Sequence, residues 1–217
     1  MINSSIKNFS GPFGIILLAA GSSSRLGKPK QLIIFEGKSL LQHGLQVAID
    51  TGIGPVVTVL GANADLVSRE VENQAVLVAI NENWKEGMAS SVRKGLQRLL
   101  NMAPETNAAI IMVCDQPFVT TKLLIDLVKK YQQTGKPIIA SSYDNILGTP
   151  ALFDKTIFAG LLELKGDTGA KKIIKENPDW VESVNFPLGK IDIDTEADYE
   201  GLPQPPEKSG QALRRRG

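Results

Sequence analysis

Five short apolar runs, at residues 13–18, 55–60, 75–80, 108–114 and 137–140, alternate along the chain with segments whose apolar residues recur every three or four positions. Short, often β-branched runs read as buried strands, and the longer period reads as one face of a helix. In 40–49 that face is Leu41, Leu45 and Ala48, with Ser39 placed to cap the start. Val67 and Val71 keep the same spacing, as do Val92, Leu96, Leu99 and Leu100. A further segment opens near Thr120 and Thr121 and carries Leu124, Leu127, Val128 and Tyr131 on one side. Strand and helix repeated in this way predict an α/β fold, with a mostly parallel central sheet and helices on both faces. After Ser142 the rhythm breaks. Gly148, Pro150, Gly166 and Gly169 punctuate short segments before a last candidate strand at 180–186. This half reads as an elaboration laid over the sheet edge. Residues 1–12 read as an N-terminal extension and 13–200 as a single domain. Residues 201–217, with three prolines and the run Arg214-Arg215-Arg216, read as a disordered tail.

With 217 residues, 42% of them hydrophobic, the chain can bury one substantial core and hide roughly 70% of its unfolded surface. A net charge of +1 gives no electrostatic reason to expect nucleic acid or an anionic membrane as partner. The single cysteine excludes an internal disulfide framework and suits a reducing compartment. No apolar run approaches the roughly 18 residues that span a bilayer, and the polar start lacks the apolar centre of a signal peptide. The expectation is a cytoplasmic protein that acts on small molecules.

The first apolar run leads into Leu18-Ala19-Ala20-Gly21-Ser22-Ser23-Ser24-Arg25-Leu26-Gly27-Lys28-Pro29-Lys30. Backbone N–H groups of a Gly- and Ser-rich loop can converge on a phosphate. Arg25 adds a planar fork of donors and Lys30 a point charge, so the loop suits a polyphosphate. A Walker A loop is excluded, because five residues separate Gly21 from Gly27 and Pro29 stands where Ser or Thr belongs. The GxGxxG dinucleotide fingerprint is absent as well.

Open α/β sheets collect ligands beyond the C-terminal ends of their strands. Residues 19–30, 81–87 and Asp115 all fall at such ends. Asp115 is placed to bind Mg²⁺ beside a triphosphate; alternatively it caps the turn into the following helix. Alternation in Ile191-Asp192-Ile193-Asp194 puts both aspartates on one face. Asp194 is the choice for a second carboxylate, with Asp192 in reserve, although Asp194 can also cap a helix containing Ala197 and Tyr199. Helix capping is the plain alternative for Ser90 and Ser91. His43 in its helical stretch and Cys114 on the strand face opposite Asp115 read as packing residues. Trp84 reads equally as a wall of the site and as packing.

The loop resembles the signature LxAGxSxRMGxxK of the MobA-like nucleotidyltransferases, and further segments agree with that family in order. They are Asn81-Glu82-Asn83-Trp84-Lys85-Glu86-Gly87 running into Ser90-Ser91-Val92-Arg93-Lys94-Gly95-Leu96, and Cys114-Asp115-Gln116-Pro117-Phe118-Val119. Gly148-Thr149-Pro150 with Gly166-Asp167-Thr168-Gly169-Ala170-Lys171 follow, then Asp192-Ile193-Asp194-Thr195-Glu196. The similarity is greatest to the molybdenum cofactor cytidylyltransferase branch.

This resemblance implies a Rossmann-like (GT-A-type) three-layer fold, Mg²⁺ as cofactor, and transfer of CMP from CTP to the phosphate of molybdopterin with release of pyrophosphate. It implies catalytic roles for Arg25, Lys30 and Asp115, and metal ligation by Asp115 and Asp194. Nucleotide contacts are implied for Leu18, Ala19, Ala20, Gly21, Arg25, Lys30, Asn81, Gly87 and Ser91. Acceptor contacts are implied for Gln116, Gly148, Thr149, Pro150, Asp167, Gly169 and Lys171. A molybdoenzyme or chaperone is implied as recipient of the product. Ala20 and Gln116 resemble the cytidylyl-transferring relatives, whereas guanylyl-transferring ones carry LAGG and Asp-Met-Pro. Thr149 stands where relatives often have His, and Lys171 where they often have Arg, which keeps the charge but loses the bidentate fork. GTP as donor and a sugar or polyol phosphate as acceptor therefore stay open, as does a non-catalytic nucleotide-binding protein.

Overall fold

The computed structural model describes residues 13–23, 26–72 and 74–193, with Asp198 and Gly201. The expected N-terminal extension and nearly all of the expected tail lie outside the described residues. In chain order the elements are β1 (Phe13–Ala19), β2 (Ile34–Phe35), β3 (Lys38–Ser39), α1 (Leu40–Ile49), β4 (Val56–Leu60), α2 (Ala64–Val67), β5 (Leu77–Ile80) and α3 (Met88–Met102). They continue as β6 (Ala108–Val113), α4 (Thr121–Thr134), β7 (Ile138–Tyr143), β8 (Ile146–Asp154), α5 (Phe158–Leu162), α6 (Lys171–Glu176) and β9 (Val181–Asn185).

Seven strands form a sheet in the order β5-β4-β1-β6-β8-β7-β9. All neighbours pair in parallel except β8, which runs against both β6 and β7. Every residue of β1 is buried, and its alternating side chains build two cores. Ile15 and Leu17 pack with Leu41 and Leu45 of α1 and with Leu124 and Leu127 of α4. Ile16 and Leu18 face the other way, onto Val92, Leu96 and Leu99 of α3. The period-two strand thus meets two helical faces of period 3.6, and the three-layer α/β arrangement follows. Helix starts fall where the caps are: Ser39 Oγ accepts from Gln42 N at 3.1 Å, and Thr120 Oγ1 accepts from Leu123 N at 3.2 Å.

Three expectations need correction. The strand expected over 75–80 begins only at Leu77. The helix around Val67 and Val71 is one turn, α2, which tightens into a 3₁₀ turn at Ser68–Val71; both valines are nevertheless buried. The largest change concerns Gly148-Thr149-Pro150, which is not laid over the sheet edge but lies in β8, inside the sheet. A proline lacks the N–H that a central ladder requires. Here the β7–β8 register jumps from Ala140↔Ala151 to Ser141↔Gly148, so Thr149 and Pro150 occupy a bulge. Ser141 Oγ donates to Pro150 O at 2.6 Å across it, and the Thr149–Pro150 peptide is cis. Among the described residues no helix is long and apolar enough to cross a membrane.

Leu96 is fully buried between α3 and the sheet. Leu96→Ala should lower stability by about 2–5 kcal/mol, seen as a lower denaturation midpoint in guanidinium with an unchanged m-value.

Candidate active site

The loop after β1, the turn after β5, the end of β6 and the segment entering α6 converge at one end of the sheet. They enclose a cleft of about 700 Å³, and a recess of about 290 Å³ adjoins it. Gly21, Ser22, Lys30, Met88, Asp115 and Asp167 line both. Ala19, Ala20, Gly87 and Ser91 line the recess with Trp84, while Gln116, Thr149, Gly169 and Lys171 line the cleft and Leu18 borders both. Asn81, Gly148 and Pro150 line neither cavity. Arg25 and Asp194 lie outside the described residues.

Asn81 is buried behind the wall. Its Nδ2 donates to Ser90 Oγ at 2.8 Å and Ser91 Oγ at 2.9 Å, and its Oδ1 accepts from Asn83 N at 3.1 Å. The side chain therefore shapes the turn into α3. Neither serine is the N-cap of α3; that position is Gly87. Gly87 has a φ of 105°, and a Cβ there would lie 2.5 Å from Gly166 O. Ala89 N donates to the same oxygen at 3.2 Å. Only glycine permits both the backbone conformation and this approach, which joins the recess wall to the loop before α6.

Gly148 is conditioned in a similar way: a Cβ there would lie 2.3 Å from Tyr143 Oη and 2.9 Å from Lys171 Cε. Lys171 Nζ sits 5.8 Å from the centre of the Tyr143 ring, within cation–π range. Gln116 Nε2 donates to Gly189 O at 3.0 Å, and Thr149 Oγ1 lies 3.5 Å from Gln116 Oε1. Gln31 is a residue that no periodicity or spacing marks, being one polar side chain between Lys30 and an apolar pair. It is fully buried beneath the loop after β1 and bonds to the backbone there.

Lys30 Nζ pairs with Asp115 Oδ2 where cleft and recess meet. Asp115 Oδ1 is buried and has no hydrogen-bond partner among the described residues. Thr120, not Asp115, caps the helix that follows. A buried carboxylate oxygen without a donor is costly, and a hard divalent cation is the partner it suits. Ile193 N donates to Asp115 O at 3.0 Å, and the neighbouring Asp192 lines the cleft. No three His, Cys, Asp or Glu side chains form a ready-made cage among the described residues. That donor set fits an ion held by one or two carboxylates and completed by phosphate and water.

His43 packs edge-on against Phe35 at 5.2 Å, and burial lowers its pKa. Cys114 is buried in the core, which pushes its thiol up to about 12. Ellman's reagent at pH 8 should therefore titrate this thiol only after denaturation. The unfolded thiol ionises near 9.0, so between pH 9 and about 12 the unfolded chain sheds a proton that the folded chain keeps. Stability should fall across that window as pH rises.

The chain matches the MobA-like NTP transferase domain over residues 15–181. Nicotine blue oxidoreductase of Paenarthrobacter nicotinovorans is 28% identical over 193 residues, 83% of this chain and 91% of that protein. A homologue of Mycobacterium tuberculosis Rv0371c, from Mycobacterium sp. strain JC1, superposes with a TM-score of 0.76 at 29% identity, covering 87% of this chain and 93% of that one. Rv0371c of M. tuberculosis H37Rv in complex with manganese superposes at 0.71 with 26% identity, covering 87% and 96%. The matched span runs from β1 to the first residue of β9 and holds the loop, Asp115 and Lys171. This chain belongs to the MobA-like NTP transferase family.

Proposed function

We propose that the protein is a Mg²⁺-dependent cytidylyltransferase that moves CMP from CTP onto the phosphate of molybdopterin. The observation that carries this reading is the Lys30–Asp115 pair at the junction of cleft and recess, beside an unpartnered carboxylate oxygen. A triphosphate entering from the recess and an acceptor phosphate entering from the cleft would meet there. An oxygen of the acceptor phosphate attacks the α-phosphorus in line. The bond from that phosphorus to the α–β bridging oxygen breaks, and pyrophosphate leaves. Because the nucleophile is already an anion, catalysis is mainly positioning and charge neutralisation.

Lys30 stabilises charge at the α-phosphate, while Arg25 and the loop amides hold the β- and γ-phosphates. Asp115, with Asp194 or Asp192, would hold the ion, which when bound supplies Lewis-acid neutralisation of phosphoryl oxygens. The methyl group of Ala20 lines the recess, which favours the smaller pyrimidine over a purine. On the acceptor side the reading places Gln116, Gly148, Thr149, Pro150, Asp167, Gly169 and Lys171, with a molybdoenzyme or chaperone receiving the product in the cytoplasm. A sugar or polyol phosphate is the second acceptor reading. Lys171 favours it, offering a point charge where relatives often present a guanidinium.

Calorimetry with Mg²⁺ and each of CTP, GTP, ATP and UTP, followed by pyrophosphate release in the presence of molybdopterin, tests the proposal. CTP should bind tightest, and Asp115→Asn should cut turnover by at least about 100-fold without loss of fold. Wild-type activity in that variant would remove Asp115 from the metal site. Preference for GTP would overturn the role of Ala20, and absence of turnover with any phosphate acceptor would leave a binding protein. Lys30→Met should raise the affinity of the nucleotide-free protein for Mn²⁺, measured by electron paramagnetic resonance, because it removes the cation that competes for Asp115 Oδ2.

A further inference from the structure

We propose that Gln31 is a positioning residue that sets the shape of the nucleotide loop and, through the peptide units around Ala20, the choice of base. The base-choice half rests on the transferase reading above. Gln31 is fully buried, and its Nε2 donates to Ala19 O at 2.8 Å and to Gly21 O at 2.9 Å. Both partners are carbonyl oxygens, which only accept, so the amide nitrogen must be the atom that faces them. Its Oε1 is buried without a hydrogen-bond partner among the described residues. The side chain therefore serves through its donors.

The two carbonyls bracket Ala20, whose own carbonyl accepts from Ala62 N at 3.1 Å. Three consecutive carbonyls of the loop are thus bound by donors of the protein. In a planar trans peptide the N–H points opposite to the C=O. Turning Gly21 O towards Gln31 therefore aims the N–H of Ser22 away from it, and Ser22 lines both cavities. That orientation presents a backbone donor to an anionic ligand. The same anchoring holds the Ala20 methyl group in the recess. Gln31 also follows Lys30 directly, and Lys30 N donates to Ser23 Oγ at 2.9 Å. The loop and the lysine thus share one support.

Gln31→Met removes both donors at similar volume, and Gln31→Glu keeps the shape while opposing a carboxylate to two carbonyl oxygens. Hydrogen–deuterium exchange on the full chain without ligand should show faster exchange in residues 18–30, with α3 and α4 unchanged. Calorimetry with Mg²⁺ should show the ratio of CTP to GTP affinity falling by about tenfold, a readout that a general loss of stability would not move. Unchanged exchange in the loop, a rise spread evenly over the protein, or an unchanged affinity ratio in both variants would overturn the proposal. If the wild-type protein binds neither nucleotide, the transferase reading and the base-choice role of Gln31 fail together, and loop exchange still decides whether Gln31 holds the loop.

Discussion

Parallel pairing of β1 with β4 on one edge and β6 on the other fixes where every part of the site begins. Ala19 lies opposite Leu60, and Leu18 opposite Val113, so three strands end at nearly the same level. The chain must turn there, and the turns carry Ala20, Gly61 and Asp115. A slip of one residue would exchange the two faces of β1 and bury neither helix layer correctly. Burial on both faces makes that slip prohibitive, and the geometry of the cleft inherits its precision from the core.

Much of this was readable from the chain. Apolar runs and helical spacing locate β1, β4, β6, α1, α3 and α4, because each contributes many buried side chains in a regular period. Ser39 and Thr120 mark helix starts because a cap is a local interaction. β8 was not readable: its glycine and proline are punctuation in a sequence, and only pairing with two strands distant along the chain makes them part of a sheet. Asn81 and Gln31 escaped for the same reason. Their roles consist of hydrogen bonds to groups defined by the fold, and neither leaves a periodic trace. The family signature located Lys30 and Asp115, but not that they touch.

That contact gives the site its electrostatic character. A lysine and an aspartate brought together at the edge of a core partly neutralise each other, which lowers the cost of burying either. The halves around this pair are also tied together. Gly87 meets Gly166 across the mouth, Arg93 Nη2 bonds Glu86 Oε2 at 2.8 Å, and Arg93 Nη1 bonds Leu164 O at 2.5 Å. Displacement of the loop before α6 is thereby felt by the recess wall.

Reversal of β8 bears on how such a protein can change over evolutionary time. Because that strand runs against its neighbours, Thr149 is built into a sheet paired on both edges, whereas Asp167 and Gly169 belong to a connecting loop. Substitution at the first position disturbs the core, and substitution at the other two does not. Divergence among relatives with different acceptors should therefore concentrate before α6, leaving the floor of the cleft as the inherited part.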